Sequence, residues 1–164
     1  MTVRLTILVN DTSRRADLTS EHGLAIHIER DGDSLLFDTG TSGTALLRNA
    51  ATLGVDLEKV SALALSHGHY DHTGGVAAFL GVNRHARIYL HPDTLRPRYR
   101  RLAGPPHKSI GMPAMTAQRL RNMPDRVIDV GGPVEIAENV FATGPIPRRR
   151  PFEEAGDDFY FDPD

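Results

Sequence analysis

The sequence predicts a mixed α/β (α+β) domain in which helices flank a β-sheet. Three observations predict this class: β-branched runs alternate with helical patterns, a short turn joins two of the runs, and one run is apolar throughout. Of the 164 residues, 40% are hydrophobic and 24% are charged, which is typical of one globular domain.

The first half of the chain contains most of the predicted elements. Alternation of polar and apolar residues predicts strands at 2–9 and 24–29. In the second strand His27 alternates with Ile26 and Ile28, so it is expected on the solvent side. A turn leads from the second of these into a strand at 34–37, so the two are expected to pair as a hairpin. A helix follows over 41–54, with apolar residues on one face. The next elements are a strand at 62–65 that is apolar enough to be buried on both faces, a helix at 76–80 and a strand at 86–90.

The second half is less regular. Prolines and glycines interrupt residues 94–126, which predicts an irregular excursion with at most short helices. Two further strands are expected at 127–130 and 140–143, around the turn at 131–133. We expect residues 1–147 to form the domain and residues 148–164 to be a charged tail or connector.

The composition excludes several classes of function. The chain has no cysteine, so disulfides, thiolate metal sites and cysteine nucleophiles are absent. Its net charge of -2 predicts no general affinity for nucleic acid or an acidic membrane. The first residues do not resemble a signal peptide, and no apolar run is long enough to span a membrane. We therefore expect a soluble cytoplasmic protein that acts on a small molecule.

The chemistry is concentrated in the stretch S-H-G-H-Y-D-H-T-G-G at residues 66–75. His67, His69, Asp71 and His72 form the pattern H-x-H-x-D-H, and imidazole nitrogens with carboxylate oxygens are ligands that zinc takes. In an extended segment residues two apart share a face, so His67 and His69 can converge on one ion, while Asp71 and His72 can serve a second. A His-rich surface loop without a metal is the alternative.

A metal site of this kind predicts hydrolysis. A divalent metal with an open coordination position lowers the pKa of bound water and makes a nucleophile available at neutral pH. The expected reaction is hydrolysis of an ester, lactone, amide or phosphate, with Asp71 as a catalytic proton shuttle. The expected cofactor is zinc, as one or two ions, with Mn²⁺ or Fe²⁺ as alternatives.

The motif resembles that of the metallo-β-lactamase superfamily, and the resemblance extends along nearly the whole chain. Within the superfamily, the chain resembles one branch most specifically. Its members are labelled 7,8-dihydropterin-6-yl-methyl-4-(β-D-ribofuranosyl)aminobenzene-5′-phosphate synthase-like proteins. The segments that carry the resemblance are Asn10-Asp11, Glu21-His22-Gly23-Leu24, Leu36-Phe37-Asp38-Thr39-Gly40, the stretch from Leu65 to Gly75, and Thr143-Gly144-Pro145-Ile146-Pro147-Arg148.

The resemblance implies a four-layered αββα sandwich and a set of roles. His67 and His69 are implied as ligands of a first metal, Asp71 and His72 as ligands of a second, and Asp38 as a support outside the ligand set. Superfamily members complete the site with His and Asp from a second half of the fold, which has no counterpart here. We therefore expect this chain to be the first half, completed by a missing C-terminal half or a second chain, with an apolar sheet face left uncovered.

Three residues are weaker candidates for binding an anionic substrate. His22 is implied near the mouth of the site, although a local turn or hydrogen-bonding role fits equally. His107 lies in the excursion, which can fold over the site as a lid. Arg148 belongs to an arginine cluster that suits a phosphate ester or is simply a solvated charged face.

Three functions follow as hypotheses. The leading one is a metal-dependent hydrolase. The alternatives are a transferase-like synthase that condenses a ribosyl phosphate with a pterin, and a non-catalytic half-domain that requires a partner chain.

Overall fold

The computed structural model describes residues 2–103, 107–153 and 159–161. Within them the strands are β1 (Val3–Val9), β2 (Ala25–Arg30), β3 (Asp33–Phe37), β4 (Ala62–Ala64), β5 (Arg87–Leu90), β6 (Tyr99–Arg100), β7 (Lys108–Ser109), β8 (Val127–Asp129), β9 (Val134–Ala137), β10 (Val140–Ala142) and β11 (Phe159–Tyr160). The α-helices are α1 (Gly43–Thr52), α2 (Tyr70–Thr73), α3 (Val76–Val82) and α4 (Ala114–Arg121). The predicted α/β class is confirmed.

The largest sheet has six strands in the order β1-β2-β3-β4-β5-β8. Strands β1, β2 and β3 are antiparallel to one another, whereas β3, β4, β5 and β8 run parallel. In the turn between β2 and β3, Asp31 has φ 48° and Gly32 has φ 100°, left-handed conformations that tight hairpin turns require. The predicted hairpin and the mixed sheet are therefore both present.

Helices α1, α3 and α4 pack on one face of this sheet. Buried residues of the helices, including Leu46, Phe79 and Leu120, share one hydrophobic cluster with Leu63 and Ile88 of the central strands. Complete burial of a side chain such as Phe79 contributes about 2 kcal/mol. This core holds β4 in the centre of the sheet, and the H-x-H-x-D-H motif begins just beyond the end of that strand.

The opposite face of the sheet is covered in part by the β9–β10 hairpin. A second hydrophobic cluster there contains Leu35, Ala62, Tyr89 and Val130, and hairpin residues pack against it. The apolar positions of β9 face this cluster, whereas Glu135 between them is exposed. The hairpin therefore forms a third layer over the central strands.

This covering layer leaves the β1 edge open. Val3, Leu5 and Ile7 are 52%, 62% and 55% exposed. Leu5 pairs with Ile28 and Ile7 pairs with Ile26, so the three exposed side chains continue the face on which the hairpin lies. The apolar face predicted to be uncovered is thus partly covered, with its exposed row on β1.

Strands are present at both places predicted around residues 131–133, but β9 lies between them along the chain and they belong to different sheets. Strand β8 joins the main sheet parallel to β5, and this pairing places Ile128 opposite the buried Tyr89. Strand β10 instead forms a local hairpin with β9, the strand that directly precedes it and that the sequence analysis missed.

The excursion at 94–126 is hydrogen-bonded to the loop that carries the motif. Its β6 and β7 form a three-stranded sheet with β11, so part of the predicted tail packs against it. Two backbone bonds join it to the motif: Tyr70 N donates to Ile110 O at 2.9 Å, and Met112 N donates to Gly68 O at 2.8 Å. The excursion therefore forms one wall beside the motif. In the described part of the chain, no helix has the length and apolar character needed to cross a bilayer.

Candidate active site

The motif occupies the connection between β4 and α2. His67 lies in the loop and His69 precedes the first turn of α2, where its carbonyl accepts a hydrogen bond from Thr73 Oγ1 at 2.8 Å. Asp71 and His72 lie within the helical turn itself. The expected extended segment is therefore correct for His67 and His69 but wrong beyond them, because the backbone becomes helical at Tyr70.

Three imidazole rings converge in this connection. The centroid of the His67 ring is 4.5 Å from that of His69 and 4.3 Å from that of His72. His67 Nε2 and His69 Nδ1 are 2.9 Å apart. The helical turn thus brings His72 to the same place as the two histidines of the loop.

Asp71 lies between two histidines. Its Oδ2 is 3.4 Å from His72 Nε2 and 3.4 Å from His22 Nε2. His22 in turn has Nδ1 at 3.0 Å from Asp11 Oδ1, which also accepts a hydrogen bond from the backbone N–H of Gly23 at 3.0 Å. The structure therefore places His22 at the edge of the cluster, in contact with an expected ligand.

Asp38 lies beneath the cluster with its side chain fully buried. Its carboxylate accepts three hydrogen bonds: from Ser66 N at 2.8 Å, from Ser66 Oγ at 2.7 Å and from His72 Nδ1 at 2.8 Å. Its φ of 57° is left-handed, which is uncommon for a residue with a Cβ and indicates local strain. Asp38 thus orients His72 and the loop together.

The surroundings change the proton affinities of the three histidines in different directions. Burial, together with the neighbouring His72 and His69, lowers the pKa of His67 to about 4. Burial and the Arg98 guanidinium lower the pKa of His69. The hydrogen bond to Asp38 raises the pKa of His72. At neutral pH the first two rings are therefore neutral, the form in which imidazole binds metals.

A comparison with protein families covers most of the chain. A family model described as the metallo-beta-lactamase superfamily matches residues 19–157. The chain belongs to this superfamily. The resemblance of the H-x-H-x-D-H motif is therefore confirmed at the level of the family.

Individual relatives match only part of the chain. The 7,8-dihydropterin-6-methyl-4-(beta-D-ribofuranosyl)-aminobenzene-5'-phosphate synthase of Methanocaldococcus jannaschii is 33% identical over 82 residues, 47% of this chain and 28% of that protein. A hydroxyacylglutathione hydrolase of Aeromonas hydrophila is 42% identical over 62 residues, 38% of this chain and 23% of that protein. The solved metallo-β-lactamase MIM-1 from Novosphingobium pentaromativorans has a TM-score of 0.46 and 24% identity, covering 69% of this chain and 41% of its own. The chain spans less than half the length of each.

Metallo-β-lactamase superfamily members typically bind metal, and the side chains here suit zinc in their chemistry. Imidazole nitrogens with a nearby carboxylate are its usual ligands, and His72 donates its other ring nitrogen to Asp38 as metal-binding histidines commonly do. Among the described residues, however, no group of three or more His, Cys, Asp or Glu side chains stands in a metal-binding arrangement. The ring nitrogens of His67 and His69 instead contact each other. The donor chemistry fits, and the ligand assignment stays a prediction.

The glycines of this superfamily motif allow close backbone approach. A Cβ on Gly74 would lie 2.0 Å from Thr41 O, and one on Gly75 would lie 2.3 Å from Thr39 O. A Cβ on Gly68 would lie 2.5 Å from Thr94 O. These three glycines therefore let the neighbouring loops pack directly against the motif.

A cavity of about 690 Å³ opens beside His67. Its polar lining includes Ser66, His91 and Arg98, and much of the remainder is apolar. Of the candidates for substrate binding, neither His107 nor Arg148 is among its described lining residues. His107 instead lies edge-on to Tyr160 in the small sheet, with ring centroids 5.4 Å apart, and Arg148 is exposed.

Sequence reasoning missed two site residues and misjudged another histidine. Ser66 donates a hydrogen bond to Asp38, and Asp11 contacts His22. Both residues lie within segments that carried the resemblance, but neither was assigned a role. His27 was expected on the solvent side of β2 because it alternates with apolar residues. It is 4% exposed, with Nε2 at 2.8 Å from Ser34 Oγ, because both faces of the sheet are covered near it.

Proposed function

We propose that the chain is the motif-bearing part of a metal-dependent hydrolase that acts on a small molecule. The observation that carries the proposal is the convergence of the His69 and His72 rings on the ring of His67. Asp71 lies beside His72, and a cavity large enough for a small molecule opens next to His67. Membership of the superfamily supports it, as does the similarity to a hydroxyacylglutathione hydrolase.

In this proposal each residue has a separate task. His67, His69, Asp71 and His72 would hold zinc, with Mn²⁺ or Fe²⁺ as alternatives, and the metal would supply an activated water and polarise the scissile bond. Asp38 keeps the Nδ1 proton of His72 in place and so leaves Nε2 for binding. Asp71, in contact with His22, accepts or returns a proton during the reaction.

The first test measures metal binding, and assays of activity follow it. The purified chain is expected to retain a divalent metal after gel filtration, and the double variant His67→Ala/His69→Ala is expected to lose it. His85→Ala is the matched control, because His85 is exposed and lies on another loop. Equal metal content in the double variant and the control would falsify the ligand assignment. Turnover of ester, thioester, lactone and phosphoester substrates is then compared with and without metal.

A second candidate is a transferase-like synthase that joins a ribosyl phosphate compound to a pterin. The observation that favours it is the 33% identity to the archaeal synthase over 82 residues. Incubating the metal-loaded chain with a pterin donor and a ribofuranosylaminobenzene phosphate separates the two: a condensation product without hydrolysis supports the synthase, and hydrolysis alone supports the hydrolase.

A third candidate is a non-catalytic unit that works only with a second chain or with further residues. The exposed row of Val3, Leu5 and Ile7 supports it, because a second sheet layer would bury these side chains. Solution mass measured together with metal stoichiometry tests this. A monomer with tightly bound metal and turnover would argue against it, whereas an inactive chain that regains activity with a partner would support it.

A further inference from the structure

Arg98 crosses directly over the loop that carries the histidines. A Cβ placed on Gly68, between His67 and His69, would lie 2.7 Å from Arg98 Nε. One placed on Gly111 would lie 2.8 Å from the backbone nitrogen of Arg98. The two glycines thus leave the space in which this arginine is seated against the loop.

The guanidinium of Arg98 has few hydrogen-bond partners within the described part of the chain. Its Nη2 donates to the carbonyl oxygen of Asp93 at 3.0 Å, but its Nε is buried there without a hydrogen-bond partner. The carboxylate of Asp93 forms its ion pair with Arg96 at 3.3 Å instead. A half-buried positive charge without a bonded carboxylate is unfavourable, and an anionic ligand relieves it.

The surroundings of Arg98 also restrict the chemistry of such a ligand. Arg98 and His67 line the same cavity, and the ring of Phe161 lies 4.6 Å from the guanidinium carbon. Much of the remaining lining is apolar and in part aromatic: Phe37, Ala64, Leu65, Tyr89, Val130, Phe141, Ala142, Pro145 and Ile146. Asp93 is also in the lining, with its carboxylate paired to Arg96. The cavity therefore joins the Arg98 guanidinium to a largely apolar chamber beside the proposed reacting site.

We propose that Arg98 binds the oxyanion group, a carboxylate or a phosphate, of a substrate whose apolar body occupies this cavity. The planar guanidinium suits both groups because its N–H donors match the spacing of two oxygens. This assignment rests on the proposed function only for the identity of the reacting site. It makes Arg98 a residue that selects the substrate.

The experiment measures binding without turnover. Phenylphosphonate, benzoate and neutral benzamide are titrated into the metal-free full chain by calorimetry. We expect both anions to bind at least about tenfold more tightly than benzamide, and Arg98→Gln to weaken the anions by about tenfold or more. The stronger of the two anions distinguishes a phosphate from a carboxylate substrate. Arg100→Gln, which removes an exposed guanidinium two residues away, is expected to change affinity by less than about twofold.

Several results would overturn the assignment: equal anion affinity in wild type and Arg98→Gln, an equal loss in Arg100→Gln, or no anion binding to the wild-type chain at millimolar concentration. If Arg98→Gln unfolds, modification of the wild-type chain by phenylglyoxal replaces it. Phenylphosphonate is expected to protect Arg98 but not Arg100, and equal modification of Arg98 with and without the anion refutes the proposal. Because neither measurement needs metal or turnover, failure of the hydrolase proposal leaves this result interpretable.

Discussion

His72 Nδ1 donates a hydrogen bond to the carboxylate of Asp38 at 2.8 Å across 34 residues of sequence. The same carboxylate accepts hydrogen bonds from both the backbone N–H and the hydroxyl of Ser66. One buried side chain at the end of β3 therefore sets the orientation of a ring on α2 and the path of the loop after β4.

Replacing Asp38 by Asn tests this arrangement. The amide keeps the shape but loses the charge and places a donor where an acceptor is needed, so one buried N–H or O–H loses its partner. We expect the free energy of unfolding to fall by about 1–3 kcal/mol and zinc affinity to fall by about 10- to 100-fold. Urea unfolding and competition with a chromogenic chelator measure the two effects. Asp125→Asn, at an exposed position, is expected to change neither, and unaltered zinc affinity in Asp38→Asn would contradict the role of Asp38.

The pH dependence of the metal-free chain follows from His67. Its pKa is about 4 in the folded chain against 6.5 for an ordinary histidine, so the unfolded chain binds a proton that the folded chain excludes. Stability from this residue is therefore present above about pH 6.5 and is lost as the pH falls from there to about 4. His72 acts in the opposite sense, since its raised pKa contributes stability that is lost as the pH rises.

Chemical unfolding between about pH 7.5 and about pH 4.5 measures this dependence. His67→Gln is expected to lose less stability across the interval than the wild-type chain, because Gln takes up no proton. His85→Gln provides the control at an exposed histidine and is expected to follow the wild type. Identical slopes for His67→Gln and the wild type would rule out a neutral, buried His67.

A substitution at Gly68 tests how closely the excursion approaches the motif. The Cβ of Gly68→Ala would lie 2.5 Å from Thr94 O and 2.7 Å from Arg98 Nε, so the segment that carries Arg98 must move. We expect a loss of about 1–3 kcal/mol in the free energy of unfolding. Gly81→Ala meets nothing within 4 Å and lies in α3, so it is expected to stabilise by about 0.5–1 kcal/mol. Equal stability of the two variants would show that the excursion does not pack on Gly68.

His22 gives a prediction in which stability and function separate. Its side chain is 66% exposed, so His22→Ala is expected to change the free energy of unfolding by less than about 0.5 kcal/mol. Because it contacts Asp71, the same variant is expected to lower zinc affinity several-fold. Asp11→Asn should also lower zinc affinity, but more weakly, since the contact of Asp11 with the cluster is through His22. Unchanged zinc affinity in both variants would assign His22 a purely local turn role.

Local patterns were sufficient to predict much of the fold. The β2–β3 hairpin followed from its turn, α1 from its apolar spacing, and the cluster of His67, His69 and His72 from its short range along the chain. An error arose where a local pattern is compatible with two environments, because His27 alternates with apolar neighbours on a sheet that is covered on both faces. The segment 127–130 pairs with a distant strand rather than with its neighbour, which its local pattern does not decide.

By itself the sequence determined the family, the mixed sheet and the side chains that suit a metal, because these depend on residues close together along the chain. Only the tertiary structure decided that Asp38 holds His72, that Asp71 contacts His22, and that Arg98 lies over Gly68 beside the cavity. Each of these contacts joins segments more than 25 residues apart, and their meeting depends on sheet order and loop packing that no local pattern encodes.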